Sequence, residues 1–195
     1  MEIVANNKST GRGFRPSGKP KTVAEFEVWE SKRHSDYNYE FYYGEIIKKP
    51  AMKQNELILL RYLNEAFLLT GAYRLSGVLA SEVDVFVDED RKRIPDLAFF
   101  TDEQVLAAAK GEKVVSAFAI EILSDSETLR HIEKKVQDYF DAGVQLVWYI
   151  TAKSKRIYAY NAVNEVKIYS AGESVTAAPV LPDFEIDIDK LFFIG

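Results

Sequence analysis

The most legible stretch of the chain is a strand, a helix and a strand between residues 115 and 150. The run Val114-Val115-Ser116-Ala117-Phe118-Ala119-Ile120-Glu121-Ile122-Leu123-Ser124 is apolar at almost every position. Side chains alternate along a strand, so Val115, Ala117, Ala119, Glu121 and Leu123 share one face and Phe118, Ile120 and Ile122 take the other. Both faces are apolar, as in a strand covered on both sides. The spacing Ser124-Asp125-Ser126-Glu127 is that of a capping box and opens a helix to about Ala142, which Gly143 ends. Its apolar stripe is Leu129, Ile132, Val136, Tyr139 and Phe140. Gln145 to Ile150 reads as the returning strand. Such a βαβ unit predicts a right-handed connection and a parallel or mixed strand pair.

The same reading extends along the chain. Thr22-Val23-Ala24-Glu25 opens a short helix to about Lys32. Tyr39 to Lys48 reads as a hairpin with Gly44 at the turn, its aromatics expected to pack on the next helix. Met52 to about Thr70 is a helix, apolar nearly all round and so expected to be largely buried, with Gly71 at its end. Val78 to Val87 reads as one strand. Asp88-Glu89-Asp90-Arg91 is a polar turn, from which Ile94 to Phe100 returns antiparallel. A short helix covers Gln104 to Lys110. Arg156 to Tyr160 and Val166 to Tyr169 form a hairpin, Leu181-Pro182-Asp183-Phe184 starts a last short strand, and Leu191-Phe192-Phe193 caps the core. No repeat and no linker appear after residue 22. The expected organisation is a flexible basic tail over 1–21, carrying Lys8, Arg12, Arg15 and Lys19 among Gly, Ser and Pro, and a single α/β domain over 22–195.

Two carboxylates interrupt this apolar pattern. Glu121 falls on an apolar face of its strand. Asp96 does the same in Ile94-Pro95-Asp96-Leu97-Ala98-Phe99-Phe100, sharing a face with Ile94, Ala98 and Phe100. A buried, unpaired carboxylate costs several kcal/mol, so each needs a basic side chain or a metal, unless it lies at a solvated rim. Two on strands of one sheet could share a divalent ion. On the following helix, at about 100° per residue, Lys134 falls opposite the stripe and faces solvent. Lys135 falls at the stripe's edge. There it either lays its stem along the core or reaches back to a strand end.

Composition narrows the chemistry. The 195 residues are 47% hydrophobic and 28% charged, which suits a soluble globular domain with a full core. No apolar run approaches the roughly 18 residues that span a membrane, and no secretory signal pattern is present, so a cytoplasmic protein is expected. There are no cysteines and only two histidines, His34 and His131, which leaves no thiolate or histidine-rich metal site. Any metal is expected to be a hard cation on oxygen ligands. The net charge of -5 argues against a broad basic face for nucleic acid, though a local basic channel fits.

Pro95-Asp96, then Glu121-Ile122-Leu123-Ser124, then Lys135 ahead of Tyr139 and Gly143-Val144, form an ordered set. It resembles the Uma-type putative restriction endonuclease family of the PD-(D/E)XK nuclease superfamily. Tyr39-Glu40…Gly44-Glu45-Ile46, Gly143 to Ile150 and Leu181-Pro182-Asp183-Phe184 with Leu191-Phe192 extend the likeness over nearly all of 22–195. The resemblance implies a restriction-endonuclease-like fold, a central mixed β-sheet flanked by helices. It also implies Mg²⁺-dependent (or Mn²⁺-dependent) hydrolysis of DNA phosphodiester bonds. It assigns Asp96 and Glu121 as metal-binding carboxylates, with the Ile122 carbonyl as a further ligand, and Lys135 as the catalytic lysine. The orthodox lysine position, two residues after the second acid, holds Leu123, so the lysine would come from the helix. Glu45, ahead of Glu40, would be a further acid near the metal. The chain departs from the family pattern at Tyr43, Asn55 and His131. With the acidic net charge, those departures favour the alternative of a catalytically silent binding or regulatory module. A homodimer fits either reading, since two symmetric sites most simply cut both strands of a duplex.

Overall fold

The computed structural model describes residues 19–33, 37–49, 53–123 and 128–193. The chain opens with α1 (Val23–Ser31), capped by the Thr22 hydroxyl, which accepts from the Glu25 N–H. The hairpin follows as β1 (Tyr39–Tyr42) and β2 (Glu45–Lys48). Tyr43 and Gly44 both have positive φ, as a tight turn matched to strand twist requires. Its aromatics pack backwards, not on the next helix: Phe41 stacks on Phe26 of α1, and Tyr39 meets Trp29 edge-on.

A 3-10 turn (Gln54–Glu56) leads into α2 (Leu57–Leu68). Only one stripe of α2 is buried, Leu59, Leu63 and Phe67, while Leu57 and Leu68 are exposed. Its uniform hydrophobicity therefore overstates its burial. Gly71 begins a further short helix, α3 (Gly71–Arg74), capped by Thr70, instead of closing α2.

The stretch expected as one strand from Val78 to Val87 is two, β3 (Val78–Ser81) and β4 (Val85–Phe86). They are separated at Glu82, which has φ 56. The returning arm is also divided, into β5 (Arg91–Arg93) and β6 (Leu97–Phe100). Pro95 lies in that break and has no N–H to give a ladder. The two arms thus change sheets together: β4 pairs with β5, and β3 with β6. Asp96 stands at this crossing, immediately before β6.

The chain continues through α4 (Asp102–Ala109), β7 (Phe118–Leu123), α5 (Leu129–Ala142), β8 (Leu146–Thr151), β9 (Arg156–Ala162), β10 (Glu165–Tyr169), β11 (Ser174–Ala177), β12 (Leu181–Asp187) and α6 (Ile188–Leu191). The strands form a four-stranded sheet, β2-β1-β5-β4, a six-stranded sheet, β10-β9-β8-β7-β6-β3, and a separate pair, β11-β12. Only β7 and β8 run parallel in the six-stranded sheet, joined through α5 as the βαβ pattern predicts. Helix α5 starts at Leu129 behind a Thr128 cap; the predicted capping box at 124–127 lies outside the described residues, as does most of the basic tail. Gly143, at φ 101, ends the helix as expected. Leu129, the first residue of α5, and Phe193, two residues beyond α6, are exposed, against expectation.

The two faces of β7 divide as their alternation predicts. Phe118, Ile120 and Ile122 join the main core with Trp148, Phe184 and the buried stripe of α2. Ala119, with Leu123 packed nearby, joins a second core under α5 that holds Val136, Tyr139 and Val147. Glu121 therefore points to the α5 side. Helix α5 packs on β8 of the larger sheet and on β4 and β5 of the smaller one, so it bridges both. No helix among the described residues is long and apolar enough to cross a membrane.

Candidate active site

Register brings the two predicted acids together. Leu97 pairs with Ile120 across β6 and β7, so Asp96, one step before, falls beside Glu121. Asp96 Oδ2 accepts from the Ile122 N–H at 2.6 Å, which fixes one carboxylate against the strand carrying the other. Ile122 thus meets the site through its amide.

Lys135 takes the inward course of the two open to it. Its Nζ lies 3.0 Å from Glu121 Oε1 and 3.1 Å from Glu40 Oε1. One turn along the same face, the Tyr139 hydroxyl donates to Glu121 Oε1. Lys134 faces solvent, with its Nζ over the Tyr42 ring.

The acid that the hairpin contributes is Glu40 and not Glu45. Glu45 is exposed at the turn end of β2, whereas Glu40 is buried on the β1 face opposite Phe41. Glu40 Oε2 is 3.0 Å from an Arg93 nitrogen, and Oε1 accepts from the Ile94 N–H. Hairpin composition does not separate the two glutamates. Nor does strand parity, since Glu45 pairs across from Tyr42 and so shares a face with Glu40. What separates them is that Glu45 stands at the exposed turn end, while Glu40 lies deeper, beside Arg93.

Three functional-looking residues were not legible as such. Lys49, at the end of the hairpin, is buried, with its Nζ 2.9 Å from Asp96 Oδ1 and donating to the Ile94 carbonyl at 2.7 Å. Arg93 bridges Glu40 and Asp138, approaching Asp138 Oδ2 at 2.6 Å. Asp138 lies three residues after Lys135, on the same helical face, and also accepts from Arg91. The available signals were that helical spacing for Asp138 and, for Arg93, its position against the apolar run from Ile94.

Burial dominates the electrostatics. It pushes the Glu121 carboxyl up to about 7, Lys135 and Lys49 pulling it down while Asp96 and Glu40 add like charge. Burial also acts on Glu40, but the charges of Lys135 and Arg93 and the Ile94 N–H outweigh it and hold its carboxyl below the usual 4.5. Burial, with Glu121 and Glu40 nearby, raises the Tyr139 hydroxyl well above its ordinary value, so it stays protonated as a donor.

A pH prediction follows. Glu121 holds its proton to higher pH when folded, so its favourable contribution is complete below the unfolded value of 4.5 and is lost as pH rises through about 7. In metal-free solution, Glu121→Gln should melt higher than the wild type above pH 7, and the advantage should shrink toward pH 5. Thermal melts with a chelator across that range check it.

The donor set suits a hard dication, because Asp96 and Glu121 offer carboxylate oxygens on adjacent strands. Glu121 commits only Oε1 to protein partners among the described residues. Within those residues, no three acidic or histidine side chains converge as a ready-made cage.

The mixed six-stranded sheet, the flanking helices and this cluster define an α/β protein of the restriction-endonuclease-like class. Residues 23–189 match the Uma2 family, described as putative restriction endonuclease, and the chain belongs to that family. Among solved structures it is similar to a putative nuclease belonging to DUF820 from Anabaena variabilis ATCC 29413. The TM-score is 0.74 at 19% identity, covering 89% of this chain and 98% of that one, a likeness of fold. Among curated proteins, none matches the sequence.

Proposed function

We propose that this chain is a divalent-metal-dependent nuclease that hydrolyses DNA phosphodiester bonds, with Asp96 and Glu121 as the acids that would hold Mg²⁺ or Mn²⁺. The observation that carries the reading is the buried pair itself: two carboxylates on neighbouring strands with Lys135 Nζ 3.0 Å from one of them. A bound ion would supply Lewis-acid polarisation of a phosphate and acidify a coordinated water. The protein's own part is positioning. The Ile122 N–H orients Asp96, the Tyr139 hydroxyl orients Glu121, and Glu40 with Arg93 holds Lys135 from behind. Lys135 would orient the attacking water or stabilise charge gathering on phosphate oxygens. Two copies of the chain would serve the two strands of a duplex.

The test is incubation of plasmid and single-stranded DNA with Mg²⁺ or Mn²⁺, against a chelated control. Cleavage should require the metal, and Lys135→Met should slow it by about 10²-fold or more. One observation favours a silent binding module instead: Glu40, Asp96 and Glu121 each already have a lysine or arginine within 3.1 Å. DNA binding without cleavage in either metal would decide for that reading.

A further inference from the structure

We propose that Lys49 is a resident counter-cation of the candidate metal site, which competes with a divalent ion for Asp96 and passes to a phosphodiester when the ion binds. The inference rests on the metal-dependent reading above and concerns what regulates that site.

Charge balance is the starting point. Glu40, Asp96 and Glu121 face Lys49, Lys135 and Arg93, so each of the three acids already has a protein cation within 3.1 Å. All six side chains are buried. Adding a dication to buried acids that already have cationic partners crowds positive charge into a poorly solvated place, which is unfavourable. Either a protein cation must leave or an anion must arrive.

The contacts identify which cation can leave. Arg93 is held by two acids, Glu40 and Asp138, through its planar fork. Lys135 also bridges two acids, from a regular helix. Among the described residues Lys49 forms an ion pair with one acid, Asp96, and its other close partner is a neutral carbonyl, that of Ile94. Its ammonium sits on a flexible four-carbon stem and has a third donor to offer. Lys49 and a metal ion would also want the same atom, Asp96 Oδ1, since Oδ2 is taken by the Ile122 N–H. A phosphodiester beside the ion supplies both missing elements, the negative charge and a new partner for Lys49. Metal and nucleic acid should therefore favour each other's binding, and by linkage the coupling is mutual. Without nucleic acid, Lys49 keeps the acids paired and the ion affinity low.

The experiment is calorimetric titration of Mn²⁺, without nucleic acid, into wild type, Lys49→Met, Lys49→Gln and Asp96→Asn. The competition predicts that both Lys49 variants bind Mn²⁺ at least about tenfold more tightly than wild type. It also predicts a larger rise in melting temperature on adding Mn²⁺, and Asp96→Asn should lose binding. Equal or weaker binding by the Lys49 variants overturns the proposal while leaving the metal site standing. No binding by any chain overturns the metal-dependent reading and the competition with it. If neither Lys49 variant folds, acetylation of wild type followed by mass spectrometry carries the test. Lys49 should be protected in the metal-free protein and become reactive at saturating Mn²⁺, and unchanged protection would refute the displacement.

Discussion

Arg93→Ala should lower the free energy of unfolding by about 3–5 kcal/mol, the cost of removing one member of a buried ionic network. Arg93 is 1% exposed and lies between Glu40 and Asp138, each 2% exposed. Removing it leaves two buried carboxylates short of a cation. Arg91 still reaches Asp138 and Lys135 still reaches Glu40, so the network is weakened and not emptied. Typical domains are stable by about 5–15 kcal/mol, so the loss brings the protein near its threshold. An exposed pair provides the contrast. Lys113 and Glu27 are 3.2 Å apart and both exposed, and Lys113→Ala should cost at most about 1 kcal/mol. Urea denaturation of the three proteins checks both values. A small effect at Arg93 would mean that the network is solvated and that Glu40 is not fixed behind Lys135.

The second large effect is on activity. Asp96→Asn and Glu121→Gln should each abolish metal-dependent cleavage while leaving the chain folded. Outer partners of a metal typically cost 10–100-fold when lost, and a direct ligand should exceed that. Both amides keep the shape of the acid and an oxygen that accepts. The Ile122 N–H can still be met by residue 96, and Lys135 and Tyr139 can still be met by residue 121. What disappears is the negative charge that holds a dication. Rates measured beside circular dichroism separate the two effects, and wild-type rates in either variant would remove that acid from the mechanism.

These two outcomes fall on residues that differ in how readable they were. Glu121 was legible because its neighbours are apolar on both faces, so strand parity alone placed it among buried side chains beneath α5. Asp96 was legible for the same reason, although the strand assigned to it breaks at Pro95. The bend at Glu82 was hidden because Val83, Val85 and Val87 alternate as smoothly as a continuous strand would. The family likeness pointed to Lys135, while its helical spacing fitted a stem along the core edge equally well. Arg93, Lys49 and Asp138 were missed for one shared physical reason. Charged residues are usually solvated whatever element carries them, and only tertiary pairing shows that these are buried against protein partners. Glu45 was preferred to Glu40 because the two share one face of the hairpin, so alternation cannot choose between them, and only tertiary packing shows Glu40 buried against Arg93 and Lys135. Strand β11, the partner of the strand expected from Leu181, escaped because Ser174 to Ala177 carries little apolar signal of its own.

The most direct test of the account is the location of the metal. Crystals of the wild-type protein grown with saturating Mn²⁺ and a short DNA duplex should give an anomalous peak between the Asp96 and Glu121 carboxylates, with Lys135 close by. A peak bound to other residues, or none at this pair while DNA is present, would contradict the assignment of these acids as the centre of the site.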